Sequence, residues 1–495
     1  MAIAKVSFHL ATSAGYGIFR DELYYIACSE RLAFGYVDHP PLSIALLWGA
    51  RHLLGDSLPA IRVVSAFAGA ATVVLTMLIA RELGGRRGAQ VLAGLTAFFA
   101  PQYLAVSHTF SMNGIDVAFW AALQLITIRA LLRDEPRLWL WFGLVAGFGL
   151  QNKYSVAFLG MGLLIGLLFT EQRRHLVSPW MWLGGALAAA IFVPHVLWQA
   201  RNNWPTLEFM ARASAEKNLA VGPLDFFAGQ ILLLHPLALP LWLFGLACLL
   251  FVPALAPVRA LGVAYPVIFA LLVVQRGKVY YLGPIYPMLL AAGAVAFQGL
   301  AASSRRSWML PAATALYVGG GLAILPMAVP VLPVERFIAY QRAIGVSEPR
   351  MERHALGALP QLYADMHGWQ DLVDTVARVH RNVDPRQRER AVILVRNYGE
   401  AGAIEFLGGP RGLPRVISGH NNFYLWGPGD LRDGDTVIAV GHRRGDLLEA
   451  FEFVEEVDRV RCVYCLPHQD DLPVHVARGL KAPVAELWPR LKRFM

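Results

Sequence analysis

LPAIRVVSAFAGAATVVLTMLIAR, residues 58–81, is a run of 24 mostly apolar residues, and a helix of about 20 such residues spans the hydrocarbon core of a bilayer. Similar runs follow on either side. Reading outward gives candidate spans at 2–19, 58–81, 90–108, 113–132, 138–151, 155–170, 180–199, 237–255, 260–275, 284–302 and 308–332, about eleven in all. The first is short, contains His9 and two glycines, and suggests a first helix truncated at its start. A cleaved leader is the competing reading, but no small-residue cleavage pattern precedes Arg20. The whole chain is 56% hydrophobic and 16% charged over 495 residues, with a mean hydropathy of +0.46. An ordinary soluble enzyme, with about 25% charged residues, is excluded.

Charge is distributed unevenly. Residues 1–332 carry 35 Asp, Glu, Lys and Arg, whereas residues 333–495 carry 44, so the chain changes solvent near Pro333. The expected fold is mainly α: a polytopic helical bundle over 1–332 and a small soluble α/β domain over 333–495. The net charge of +9 arises in the membrane part, because the tail has 22 acidic and 22 basic residues. Basic residues between apolar spans follow the positive-inside rule, which argues against nucleic acid as a partner. A cytoplasmic N-terminus puts Arg81, Arg86, Arg87, Arg133, Arg137, Arg173, Arg174, Arg259, Arg305 and Arg306 in short cytoplasmic connections. The opposite face receives residues 20–57, the turns at Ser111 and Lys153, the loops 200–236 and 276–283, and the tail. An extracytoplasmic tail in a bacterial inner membrane is therefore expected.

In the tail, Ala391 to Val395 and Thr436 to Val440 have strand length, GEAGAIEFLGG between them reads as a short helix, and Leu362 to Val379 as an amphipathic helix. Cys28 and Cys248 lie in apolar surroundings, whereas Cys462 and Cys465 form a CVYC pair. That pair fits a local disulfide, a redox site or a metal site. His420, Asn421, Asn422, Tyr424 and Trp426 suit either a carbohydrate-contacting loop or a Gly- and Asn-rich surface turn.

The chemistry is expected on the extracytoplasmic face. FRDELYYIACSERLAFGYVDHPPLSIALLWGA, residues 19–50, opens with Asp21-Glu22 and continues to Asp38-His39-Pro40-Pro41, placing two polar clusters in one short loop. Such acids also suit the start of a solvated helix. Asp116, Lys153, Arg276 and Lys278 fall on the same side. An ionisable group among apolar spans is a functional candidate, usually paired; Lys153 could equally snorkel to the interface, and Asp116 could balance a cation. Carboxylates with several cations suit a reaction that deprotonates an acceptor while a phosphate departs from a sugar C1.

The run RDELYY…ACSE…GYVDHPPL, with RGKVYYLGPIYP further on, resembles glycosyltransferase family 39. That family has the GT-C membrane fold and includes protein O-mannosyltransferases and lipid A aminoarabinose transferases. The resemblance covers most of residues 16–300. It implies Asp21 as the catalytic carboxylate or acceptor-orienting group with Glu22 in support, and Lys278, in a Lys-x-x-Tyr-x-x-Pro pattern, facing the donor phosphate with Lys153 assisting. Asp38-His39 stands where the aminoarabinose transferases have Glu-Lys. Asp38, His39, Asp116, Lys153, Arg276, Lys278 and Tyr281 are then the substrate-binding candidates, and Asp38 with His39 a possible divalent-metal site, too few ligands to establish one.

The expected activity is transfer of a sugar, with inversion at C1, from a polyprenyl (undecaprenyl) phosphate donor to a lipid, glycan or protein acceptor. The alternatives are a flippase for a lipid-linked sugar and a membrane scaffold. A flippase predicts charges near the bilayer midplane and two similar halves, and a scaffold gives no reason for acids and cations to gather on one side.

Overall fold

The computed structural model describes residues 1–217, 219, 221–304, 306–345 and 352–495; Arg305 of the expected cytoplasmic cations lies outside them. The chain forms two compact units. One comprises Met1–Gly15, His39–Arg201 and Leu219–Phe337, and the other Tyr16–Asp38, Asn202–Asn218 and Ile338–Met495.

The first unit is helical. Among the described residues, Leu58–Glu82, Met112–Leu132, Pro179–Arg201, Pro253–Val274, Val279–Ser303 and Met309–Ala328 are long and apolar enough to cross a membrane. Three bent pairs, Arg87–Phe99 with Pro101–His108, Val156–Leu168 with Glu171–Val177, and Pro223–Leu234 with Pro236–Phe251, raise the number to nine. The two remaining expected spans are helical but short: Ala2–Thr12 has 11 residues and Leu138–Asn152 has 15. The stretches 20–57 and 200–236, expected as loops, contain the apolar helices Leu42–Leu54 and Pro223–Leu234. Both escape a search for 20-residue runs because they have 13 and 12 residues. The protein is a polytopic membrane protein.

Irregular backbone inside this bundle is tolerated only where its polar groups find partners, because lipid offers none. The 3-10 segment Val279–Ile285, with Pro284 inside it, meets this condition through side chains from other helices. Gln102 Nε2 donates to the Tyr280 carbonyl (2.7 Å), the Tyr103 hydroxyl to that of Gly283 (2.7 Å), and Gln230 Nε2 to that of Val279 (2.9 Å). Gln124 Nε2 serves the carbonyls of Pro284 (3.0 Å) and Ile285 (3.2 Å), while its Oε1 accepts from the Met288 amide. The segment carrying Lys278, Tyr280 and Tyr281 is thereby fixed.

The second unit contains a five-stranded sheet: β1 (Val392–Val395), β2 (Val416–Ser418), β3 (Val437–Val440), β4 (Phe451–Val460) and β5 (Leu472–Leu480), in the order β2-β1-β3-β5-β4. β1 lies parallel to β2 and β3, and β5 antiparallel to β3 and β4. The two strands expected from sequence are β1 and β3, and the helix expected between them is Tyr398–Gly408. The amphipathic helix expected over 362–379 starts at Trp369, after Gly368 turns the chain at φ +87°. β4 was not legible because Glu452, Phe453, Glu455, Glu456 and Val457 are all exposed, so burial does not alternate, it lies at the sheet edge, and a bulge at Glu456/Asp458 interrupts its pairing.

Residues 16–38 fold with this sheet. Helix Arg20–Ser29 packs on helix Tyr398–Gly408 at a separation that only glycine permits. A Cβ at Gly402 would stand 2.6 Å from the Leu23 carbonyl oxygen, and one at Gly399 2.6 Å from Arg20 Cγ. Gly402→Val should therefore destabilise this unit by about 1–3 kcal/mol, read as a lowered thermal midpoint in detergent; an unchanged midpoint would contradict the close approach. Gln124→Leu should cost about 1–3 kcal/mol by leaving two buried carbonyls unpaired, and protection of residues 279–285 from hydrogen exchange equal to wild type would contradict its role as their anchor.

Candidate active site

The acidic cluster belongs to the second unit. Phe19 has extended backbone and caps helix Arg20–Ser29, with Asp21 and Glu22 in the first turn, where the partial positive charge of the helix end favours carboxylates. Their neighbours assign them different tasks. Glu22 is fully buried and its Oε2 accepts the Phe19 backbone amide at 2.8 Å, so it closes the helix start. Asp21 is 34% exposed. Its Oδ1 accepts from the Tyr398 hydroxyl at 2.9 Å and from Arg20 Nε at 3.2 Å. Both hydrogen bonds fall on one oxygen.

Arg20 also pairs with the buried Asp365, Nη1 to Oδ2 at 3.2 Å, and its backbone amide donates to the Asp365 carbonyl. Burial pushes the Asp365 carboxyl up to about 6, against the pull of Arg20, with Asp21 and Glu352 adding to the rise. The Tyr398 and Tyr24 rings are in contact, tilted by 31° with centroids 4.7 Å apart. Burial raises both hydroxyls well above their ordinary range, which keeps them protonated. Tyr24 Oη lies 2.9 Å from Asp38 Oδ1 and 2.9 Å from Asn422 Oδ1. Asn422 Oδ1 also accepts the Val37 amide at 2.8 Å. Two neighbouring phenols thus each serve one carboxylate.

The sheet explains how tail residues reach these acids. β1 and β2 are adjacent and parallel, with Val395 opposite Ser418, so the segments leaving their carboxyl ends emerge side by side. In α/β sheets that is where ligand-contacting residues gather. Tyr398 follows β1 and His420 to Asn422 follow β2. His420 Nδ1 accepts the Tyr398 amide at 3.2 Å, and the two rings stack at 4.8 Å. The surface-turn reading of 420–422 is therefore corrected: all three residues are buried, with His420 Nε2 2.8 Å from the Met495 carbonyl and Asn421 Oδ1 accepting the Met495 amide at 3.2 Å. Trp426 lies under the Arg31 guanidinium at 4.4 Å, and Arg31 pairs with Glu405 at 2.7 Å.

The cationic cluster belongs to the first unit. Lys153 ends helix Leu138–Asn152 in an extended conformation, which breaks the helix and directs the side chain back among its neighbours. Its Nζ donates to Asn113 Oδ1 at 2.8 Å and stands 3.6 Å from Asp116 Oδ2. Asp116 is buried, and both its oxygens accept from Ser155 Oγ, at 2.6 and 2.7 Å. Lys153 Nζ also lies 5.0 Å from the Tyr281 ring centroid and 5.8 Å from that of Tyr280. The fold brings Asp116, Lys153 and Tyr281 together. Lys278 immediately precedes the 3-10 segment and is half-buried, whereas Arg276 is exposed in a turn at φ +53°. His39 is buried in this unit, its Nδ1 3.0 Å from the Pro40 carbonyl. Asp38 makes its contact to Tyr24 in the other unit. Among the described residues no group of three or more His, Cys, Asp or Glu is arranged to hold a metal ion. Cys462 and Cys465 are buried free thiols, the Cys465 amide donating to Cys462 Sγ at 3.2 Å.

Sequence reading missed Arg20, Asp365 and Tyr398 around the acids, and Asn113 and Ser155 around Lys153, and it gave Asn422 no role beside Asp38. Residues 420–426 stood out in composition, but nothing in them indicated partners in residues 16–38.

A family model described as dolichyl-phosphate-mannose-protein mannosyltransferase matches residues 38–198. The lipopolysaccharide core galacturonosyltransferase RgtB of Rhizobium johnstonii is 28% identical over 239 residues, 48% of this chain and 47% of that protein. The chain thus matches about half the length of this curated relative. Crystal structures of ArnT from Cupriavidus metallidurans, one bound to undecaprenyl phosphate and one in the apo state, superimpose with a TM-score of 0.60 at 15% identity, over 96% of this chain and 97% of that one. The chain thus has the fold of ArnT, and its residues 38–198 match the mannosyltransferase family model.

Proposed function

We propose that this protein transfers a sugar from an undecaprenyl-phosphate donor to a lipid, glycan or protein acceptor at the extracytoplasmic face of a bacterial inner membrane, with inversion at C1. The observation that carries this reading is the lopsided Asp21 carboxylate, with Oδ1 held by Tyr398 and Arg20 and the side chain still one-third exposed. An anchored carboxylate whose second oxygen stays open suits a general base. In the proposed step Asp21 Oδ2 takes the acceptor hydroxyl proton and the acceptor oxygen bonds to C1. The bond from C1 to the phosphate oxygen breaks on the opposite face, and undecaprenyl phosphate leaves with the electron pair.

The departing phosphate needs cations, and Lys153, Lys278 and Arg276 are assigned to it. Lys153 is the best prepared, since Asn113, Asp116 and the two tyrosine rings hold its ammonium in place. Tyr281 is assigned to the donor head group. Asp38 and His39 are assigned to the substrate, and the tail, with residues 16–38, to the extracytoplasmic side. The undecaprenyl phosphate bound to ArnT supports the donor class, and the likeness to RgtB supports an envelope glycan as acceptor.

Asp21→Asn should insert and fold normally but lower kcat by about a hundredfold or more, measured in proteoliposomes as transfer from a panel of radiolabelled undecaprenyl-phosphate sugars into bacterial membrane fractions. Wild-type turnover would remove Asp21 from the base role. Lys153→Ala should mainly weaken use of the phosphate donor by about tenfold or more; an equal loss with a phosphate-free donor analogue would contradict the clamp.

A further inference from the structure

Tyr398 is 377 residues from Asp21 in sequence, and its surroundings hold it rigidly. Asn397 caps its helix, Oδ1 accepting the amides of Gly399 at 2.9 Å and Glu400 at 3.0 Å. The Tyr398 amide is held by His420 Nδ1, and the ring stacks on His420 at 4.8 Å and contacts the Tyr24 ring at 4.7 Å. The Arg20 guanidinium lies 5.8 Å from the ring centroid. Gly399 and Gly402 allow the two helices to approach until the phenol reaches the carboxylate. Arg20 alone would not fix Asp21, because it is shared with Asp365. A second donor on the same oxygen removes the carboxylate's remaining freedom to rotate.

We propose that Tyr398 is a positioning residue for the transfer reaction: its hydroxyl, donated to Asp21 Oδ1, determines that Oδ2 meets the acceptor. This rests on the assignment of Asp21 as the acceptor base. Positioning acts on the rate of the bound complex and leaves donor recognition alone, since misplacing a reacting group by about 1 Å costs about a hundredfold. A purely structural phenol would act differently, because every ring contact survives in Tyr398→Phe.

The test is a double-mutant cycle on the full-length protein in proteoliposomes, comparing wild type, Tyr398→Phe, Asp21→Asn and the double variant, with the thermal midpoint of each. Tyr398→Phe should keep its midpoint and the KM for the donor lipid while kcat falls about tenfold or more, and in the Asp21→Asn background it should change kcat less than about twofold. An undiminished kcat, a loss that appears equally in the Asp21→Asn background, or a collapsed midpoint would each overturn the positioning role. Full activity in Asp21→Asn, or no transfer by wild type from any donor, would instead overturn the assignment of Asp21 and the proposal with it.

Discussion

The hydrogen bond from the Tyr398 hydroxyl to Asp21 Oδ1 is a long-range contact that depends on several features of the second unit at once. It needs β1 and β2 parallel and adjacent, so that Tyr398 and the 420–422 segment leave the sheet side by side. It needs two glycines in helix Tyr398–Gly408 where helix Arg20–Ser29 crosses. It also needs Arg20 anchored on the buried Asp365. Glu22, next to Asp21, turns inward to close the helix start, which leaves Asp21 as the partly exposed acid of the pair. The tail is thus part of the machinery that orders residues 16–38.

A different constraint shapes the membrane unit. Backbone groups that leave regular helix inside a bilayer need partners from protein, because each unsatisfied group costs several kcal/mol. The Val279–Ile285 segment departs from helix and is served by Gln102, Tyr103, Gln124 and Gln230. That departure lets Lys278 and Tyr281 occupy fixed positions, with Tyr281 beneath the Lys153 ammonium. Polar residues in these helices therefore serve the backbone as much as the substrate.

Much of the fold could be read from sequence because lipid imposes a simple rule on composition. Spans such as Leu58–Glu82 and Met112–Leu132 differ from the charged tail whatever their packing. Short helices such as Leu42–Leu54, and the acidic edge strand β4, escaped because neither length nor alternation distinguishes them. For the site, Asp21, Lys153 and Tyr281 could be identified as ionisable or aromatic residues beside apolar spans. Their partners could not. Tyr398 and Asn422 are ordinary tail residues by type, and only the adjacency of β1 and β2 connects them to residues 16–38. Glu22 and Asp21 look equivalent in sequence, and the capping hydrogen bond from Phe19 separates them.

The central claim is that the cationic cluster around Lys153 takes the phosphate of the donor lipid. Its most direct test is an electron cryomicroscopy structure of the full chain in lipid nanodiscs with undecaprenyl phosphate. The account predicts the phosphate within hydrogen-bonding reach of Lys153 or Lys278. A phosphate seated away from both lysines would contradict it.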